Sequence, residues 1–179
     1  RVMGPNCLGF IRPGKYLNAS FAPAFPKTGR VALISQSGAL CTAILDWSLK
    51  HHVGFSYFVS IGSMMDICFA DMMDYLANDR ETAGVIMYME SVSKADAFVA
   101  AGAKLAAKIP VFALKAGKTE AAASAAKSHT GSLAGNARVF SSVLARCGIS
   151  ELSGLSDMFH AAKILNAGNI PRSNSLLVV

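Results

Sequence analysis

The chain has 179 residues, 53% of them hydrophobic and 16% charged, enough for one domain with a substantial core and too apolar for global disorder. The formal charge is +6, but the lysines and arginines fall singly and form no stripe, so no nucleic-acid partner is indicated; small anionic ligands or plain solvation account for the charge. Cys7, Cys41, Cys68 and Cys147 include no C-x-x-C pair, and no apolar run approaches the roughly 18–20 residues of a membrane span, so the expectation is a cytoplasmic chain with no metal site, disulfide framework or membrane partner.

In chain order, Arg1 to Lys27 contains Pro5, Pro13, Pro23 and Pro26 and reads as an irregular lead-in. It opens without a methionine, and the closing NSLLVV is strand-like, so both ends read as cut from something longer. From Arg30 the pattern changes. VALIS (31–35) is a compact apolar run, and ALCTAILDWSLKHH (39–52) then has helical spacing. FSYFVSIG (55–62) precedes the amphipathic FADMMDYLAND (69–79), and GVIMYMES (84–91) precedes KADAFVAAGAKLAAK (94–108). PVFALKAG (110–117) is a fourth strand, LAGNARVFSSVLARC (133–147) a further helix, and Ile149–Leu152 and SDMFHAAKIL (156–165) a last strand and helix. Continuous apolar runs separated by helices predict an α/β domain with an open, doubly wound parallel sheet. AGNIPRSN then reads as a linker, and Leu176–Val179 as the first strand of a following domain.

Ligands of open parallel sheets bind beyond the carboxyl ends of the strands, where this chain carries SQSGA, IGSMMD, MES and KAGK. In SQSGA (35–39), Ser37 either caps an ordinary helix or, with Gly38, opens a helix start that takes an anion; neither a P-loop nor a G-x-G-x-x-G fingerprint is present. Glu90 is either a charge at a helix start or a carboxylate facing a partner such as histidine. His129, in KSHTGSLAG, is either a surface-turn residue or a nucleophile beside the hydroxyls and donors of Ser128, Thr130 and Gly131. His51 and His52 end a helix, and His160 lies near the apolar face of the last one; structural roles are expected for all three. Asp66 is placed to order an edge loop, while Trp47, Met64, Met65, Met72 and Met73 read as packing.

GPNCLGF, SQSGA, IGS-x-x-D, MES and SHTGSLAG, in this order, resemble the NDP-forming acyl-CoA synthetases, relatives of the succinyl-CoA synthetase α subunit. The resemblance implies a flavodoxin-like CoA-ligase domain over 28–166. It also implies that 1–27 is the tail of a Rossmann-like CoA-binding domain and that 167–179 is a linker with the first strand of another domain. The implied chemistry converts acyl-CoA and phosphate to acyl phosphate and CoA, then passes the phosphoryl group through a histidine to ADP or GDP, with Mg2+ and an ATP-grasp domain or subunit. By the resemblance, His129 matches the phosphorylated histidine and Glu90 its orienting carboxylate. Ser35, Ser37, Gly38, Ala39, Thr130 and Gly131 match phosphate-holding positions, and Asn6 and Cys7 border the CoA thiol. AGKTEAAASAAK would then be a flexible arm carrying the histidine. Ser63 departs from the asparagine of many relatives. LNASF and LDWSLKHHVGFSYF also look like the synthetase-like region of GNAT-fused lysine acetyltransferases, an alternative with an acyl-CoA-sensing role; the retained His129 favours the catalytic one.

Overall fold

The computed structural model describes residues 1–117 and 137–168. Seven strands form one sheet in the order β2-β1-β4-β3-β5-β6-β7. The strands are β1 (Gly9–Arg12), β2 (Leu17–Ser20), β3 (Thr28–Ser35), β4 (Phe55–Ser60), β5 (Gly84–Met89), β6 (Val111–Lys115) and β7 (Ser150–Glu151). The helices are α1 (Gly38–Lys50), α2 (Phe69–Leu76), α3 (Ala95–Ala106), α4 (Ala137–Arg146) and α5 (Leu155–Ala167). From β4 through β7 every pairing is parallel.

Alternation along the strands builds two cores, one on each face. Ala32 and Ile34 of β3 and Val85, Met87 and Met89 of β5 face α2, α3 and α4. Val31, Leu33 and Ile86 face the opposite way, against α1 and α5. Because both faces are covered, these strands read as unbroken apolar runs. The order β4-β3-β5-β6-β7 has the flavodoxin-like form, and the chain reverses direction across the sheet beside β3. Gly84 lets α5 come close: a Cβ there would stand 2.6 Å from Leu165 Cδ2.

Three sequence expectations are corrected. The lead-in carries a hairpin, β1 and β2, that pairs antiparallel with β4 and extends the sheet. Its turn is a single 3-10 turn, Pro13–Lys15, closed by Tyr16 in the left-handed region at φ 53. Pro-Gly inside IRPGKYLN is the local signal for that turn, outweighed in the sequence by the proline content of the whole segment. Met65 is 69% exposed, unlike the buried Met64, Met72 and Met73. His160 is solvent-exposed and does not pack on the apolar face of α5. Trp47 is half-buried, stacked on Phe159 at 4.3 Å.

Asp66 orders the loop after β4, as expected, by accepting from the Val2 N–H at 2.7 Å and pairing with Arg1 at 3.0 Å. Nearby, Asp71 caps α2 through the Cys68 N–H (3.0 Å) and thiol (3.1 Å) and pairs with Arg1 at 2.6 Å. Burial works to raise the Asp71 carboxyl, but Arg1 and the two Cys68 donors outweigh it and hold it well below the usual carboxylate range. A carboxyl depressed in the folded state stabilises fully above its unfolded pKa, and that stabilisation fades as pH falls toward the folded value. Asp71→Asn should therefore cost about 1 kcal/mol at neutral pH. In denaturant titrations the gap to wild type should narrow below about pH 4; a gap independent of pH would remove the charge from the explanation.

Candidate functional site

At the carboxyl end of β3 the chain enters α1 through Ser35, Gln36 and Ser37. The fully buried Ser35 hydroxyl accepts from the Ser37 N–H (3.0 Å) and donates to the Ser37 carbonyl (2.9 Å), closing a tight two-residue loop. Ser37 is extended (φ −97, ψ 116) and its hydroxyl accepts from the Leu40 N–H at 3.2 Å, so it is the N-cap. The N–H groups of Gly38 and Ala39, at the first two helical positions, have no intrahelical acceptor and lie at the positive end of the helix dipole.

A second segment, Asn6 to Leu8, is fastened to the same end of the sheet. The Leu8 N–H donates to Ser60 Oγ at the end of β4 (3.0 Å). The loop after β4 clamps the residues just before it: Ser63 N–H donates to Pro5 O (2.9 Å) and Met65 N–H to Gly4 O (3.0 Å). Ser63 thus braces this segment through its backbone while its side chain is exposed. Asn6 takes the left-handed region at φ 54.

Between the two segments opens a cleft of about 760 Å³. Asn6, Cys7 and Leu8 form one wall, Ser37, Gly38 and Ala39 another, and Gln36, Glu90, Phe21 and Thr42 complete it. It lies at the ends of β3 and β5, on the two sides of the switch point, where an open α/β sheet places its ligands. Of the sequence-derived site residues, the structure brings Asn6, Cys7, Ser37, Gly38, Ala39 and Glu90 to this one cleft. Ser35 does not line it and instead braces the turn. His129, Thr130 and Gly131, and the alanine-rich arm before them, lie outside the described residues.

Gln36, Leu8, Phe21 and Thr42 escaped the sequence reading. Gln36 stands inside the quoted SQSGA, yet nothing in its local pattern shows that its side chain reaches the end of β5. Glu90 is the one charged side chain among the described lining residues, so an anion in the cleft would depend on backbone N–H groups and the helix dipole. Among the described residues no three His, Cys, Asp or Glu side chains come together as metal ligands, and no step is assigned to a metal ion.

The cysteines are unpaired. Burial pushes the Cys41 thiol up to about 12, against the smaller pull of the neighbouring Ser35 and Ser60 hydroxyls, which leaves it unreactive at neutral pH. Cys7 is half-buried in the cleft wall. His51 and His52 are exposed past the end of α1, and His52 Nδ1 meets Lys27 Nζ at 2.9 Å, a surface contact.

Ser37→Ala removes the cap and should destabilise the protein by about 1 kcal/mol, seen as a lowered denaturation midpoint. Gly in its place should recover most of that loss, because an uncapped backbone tolerates glycine there.

Fold and cleft together define a flavodoxin-like domain with a cleft at the switch point lined by a helix N-terminus and a carboxylate. Residues 28–165 match the succinyl-CoA ligase-like flavodoxin domain, and the chain belongs to that family. It is 38% identical, over its full length, to the α subunit of ADP-forming acetate–CoA ligase II of Pyrococcus furiosus, of which it spans 39%. Over 95% of its length it is 41% identical to the ADP-forming acetate–CoA ligase of Methanocaldococcus jannaschii, of which it spans 25%. Among solved structures, 97% of the chain superposes with a TM-score of 0.90 and 34% identity on 38% of the dinucleotide forming acetyl-coenzyme A synthetase 1 of Ca. Korarchaeum cryptofilum, determined with phosphate and ADP. These relatives are ligases and synthetases, and none of them supports fusion to an acetyltransferase.

Proposed function

We propose that this chain is the CoA-ligase domain of an NDP-forming, acetate-type acyl-CoA synthetase. The observation that carries the proposal is the convergence of Asn6 and Cys7, the start of α1 and Glu90 on one cleft at the switch point. The thioester of acyl-CoA lies against Asn6 and Cys7, and phosphate against the N–H groups of Gly38 and Ala39. A phosphate oxygen attacks the thioester carbonyl; the C–S bond breaks, and CoA leaves as its thiolate and takes up a proton. A nitrogen of His129 then attacks the phosphorus of the acyl phosphate, releasing the carboxylate, and the phosphoryl group passes from the imidazole to the terminal oxygen of ADP or GDP. Glu90 fixes the tautomer of the imidazole and stabilises its charged form, the task of a carboxylate beside histidine. Ser35 acts by holding Ser37, and Thr130 and Gly131 are assigned to the phosphoryl group with His129.

The chain covers well under half of the relatives it resembles, so the whole reaction is assigned to a longer protein. In that protein 1–27 is the tail of a CoA-binding domain whose β1–β2 hairpin joins the sheet of the ligase domain 28–166, and 167–179 is a linker to a following domain. ATP, ADP and Mg2+ are assigned to an ATP-grasp domain or subunit, and the location to the cytoplasm. No described helix is long and apolar enough to cross a membrane. The test is to incubate the full-length protein with Mg-ATP labelled at the γ-phosphate. An acid-labile, alkali-stable label that His129→Asn removes is expected, and a folded protein that takes up no label refutes the proposal.

A further inference from the structure

We infer that Gln36 is a positioning residue that sets Glu90 in the cleft, an inference that rests on the proposed role of Glu90. Gln36 stands one residue past the end of β3, and its backbone N–H donates to Tyr88 O at 3.1 Å, carrying the β3–β5 ladder one step further. Its side chain continues the link. Oε1 accepts from the N–H of Glu90 at 2.6 Å and from the N–H of Ser91 at 2.9 Å. Nε2 donates to the Ser91 hydroxyl at 3.1 Å.

The two N–H groups flank the φ and ψ bonds of Glu90. Holding both on one oxygen fixes both torsions, and with them the direction in which the Glu90 side chain leaves the backbone. Gln36 therefore does for the end of β5 what a side-chain cap does for a helix start: it supplies an acceptor where the sheet ladder stops. An amide suits the place on two counts. The oxygen serves two donors and the nitrogen serves the hydroxyl, so both ends of the group are used. It also carries no charge, whereas a carboxylate there would stand beside Glu90 and against any anion in a cleft that both residues line. Gln36 is itself steadied, because the neighbouring Ser35 is fully buried and Ser37 caps α1.

In the full-length enzyme, Gln36→Met keeps the side-chain volume and removes acceptor and donor together. For acetyl-CoA synthesis from acetate, CoA and Mg-ATP, kcat should fall about 10- to 100-fold, as a small displacement of a catalytic partner does. The KM of each substrate should change less than about threefold. In a double-mutant cycle with Glu90→Gln, adding Gln36→Met to the Glu90→Gln enzyme should cost less than about twofold, because the group it positions is already disabled. An equal loss in both backgrounds overturns the inference and leaves the role of Glu90 standing. Full activity in Glu90→Gln alone overturns that role and the inference with it. If Gln36→Met does not fold, Gln36→Asn takes its place; its shorter amide withdraws the acceptor from both N–H groups without adding charge, and its loss should also vanish in the Glu90→Gln background.

Discussion

His129→Asn in the full-length protein should abolish nucleoside triphosphate formation while leaving the first half-reaction running. Removing a covalent nucleophile lowers turnover by at least about 1000-fold, and asparagine cannot carry a phosphoryl group. In the proposed scheme the attack of phosphate on the thioester, by contrast, uses the Gly38 and Ala39 N–H groups and the Asn6–Cys7 wall, all of which the substitution leaves in place. The variant should therefore still release CoA from acetyl-CoA in a phosphate-dependent manner and accumulate acetyl phosphate. Both quantities can be followed in one experiment, by thiol titration and by trapping acetyl phosphate with hydroxylamine. Loss of CoA release together with ATP formation would mean that His129 takes part in the first step, contrary to the division of labour proposed above.

Gly62→Val should be strongly destabilising. Gly62 opens the turn after β4 at φ +55, a conformation that a β-branched residue adopts only under strain. A Cβ there would stand 2.2 Å from Pro5 O and 2.5 Å from Asn6 O, so the segment that forms one wall of the cleft has to move. Strain and displacement together should cost at least about 3 kcal/mol in denaturant unfolding. Where the full-length variant still folds, its KM for CoA should rise, because Asn6 and Cys7 border the proposed thiol site. Stability within about 0.5 kcal/mol of wild type would show that the loop relaxes freely and that the clamp on Asn6 is weak.

Both expectations depend on parts of the protein that were unequally visible from the amino-acid order. The parallel strands β3 to β6 were legible because each is buried on both faces and so becomes an unbroken run such as VALIS or GVIMYM. The helices were legible from their spacing, and the readings for α1, α2, α3 and α5 fall within three residues of the observed ends: α2 stops at Leu76, where the periodic pattern runs on to Asp79. The hairpin β1–β2 was not legible. Only Ile11 of its eight strand residues is buried, so it shows little of the apolar signal that marks the inner strands. It is held instead by backbone pairing to β4, which leaves no trace in residue type.

What the sequence by itself determined is the fold class and the kinds of group available at the strand ends. Apolar periodicity records burial one element at a time, and Ser37 next to Gly38 records a helix start. The tertiary structure decided which of those groups meet. Only the order β4-β3-β5 sets the ends of β3 and β5 side by side, and only that adjacency puts the Gln36 amide within 2.6 Å of the Glu90 N–H across a separation of 54 residues. In the same way, the clamp between Gly62–Met65 and Gly4–Asn6 brings Asn6 and Cys7 to the start of α1. Side-chain contacts between residues so far apart depend on strand register and loop path, which follow from the packing of the whole domain and from no local stretch of it.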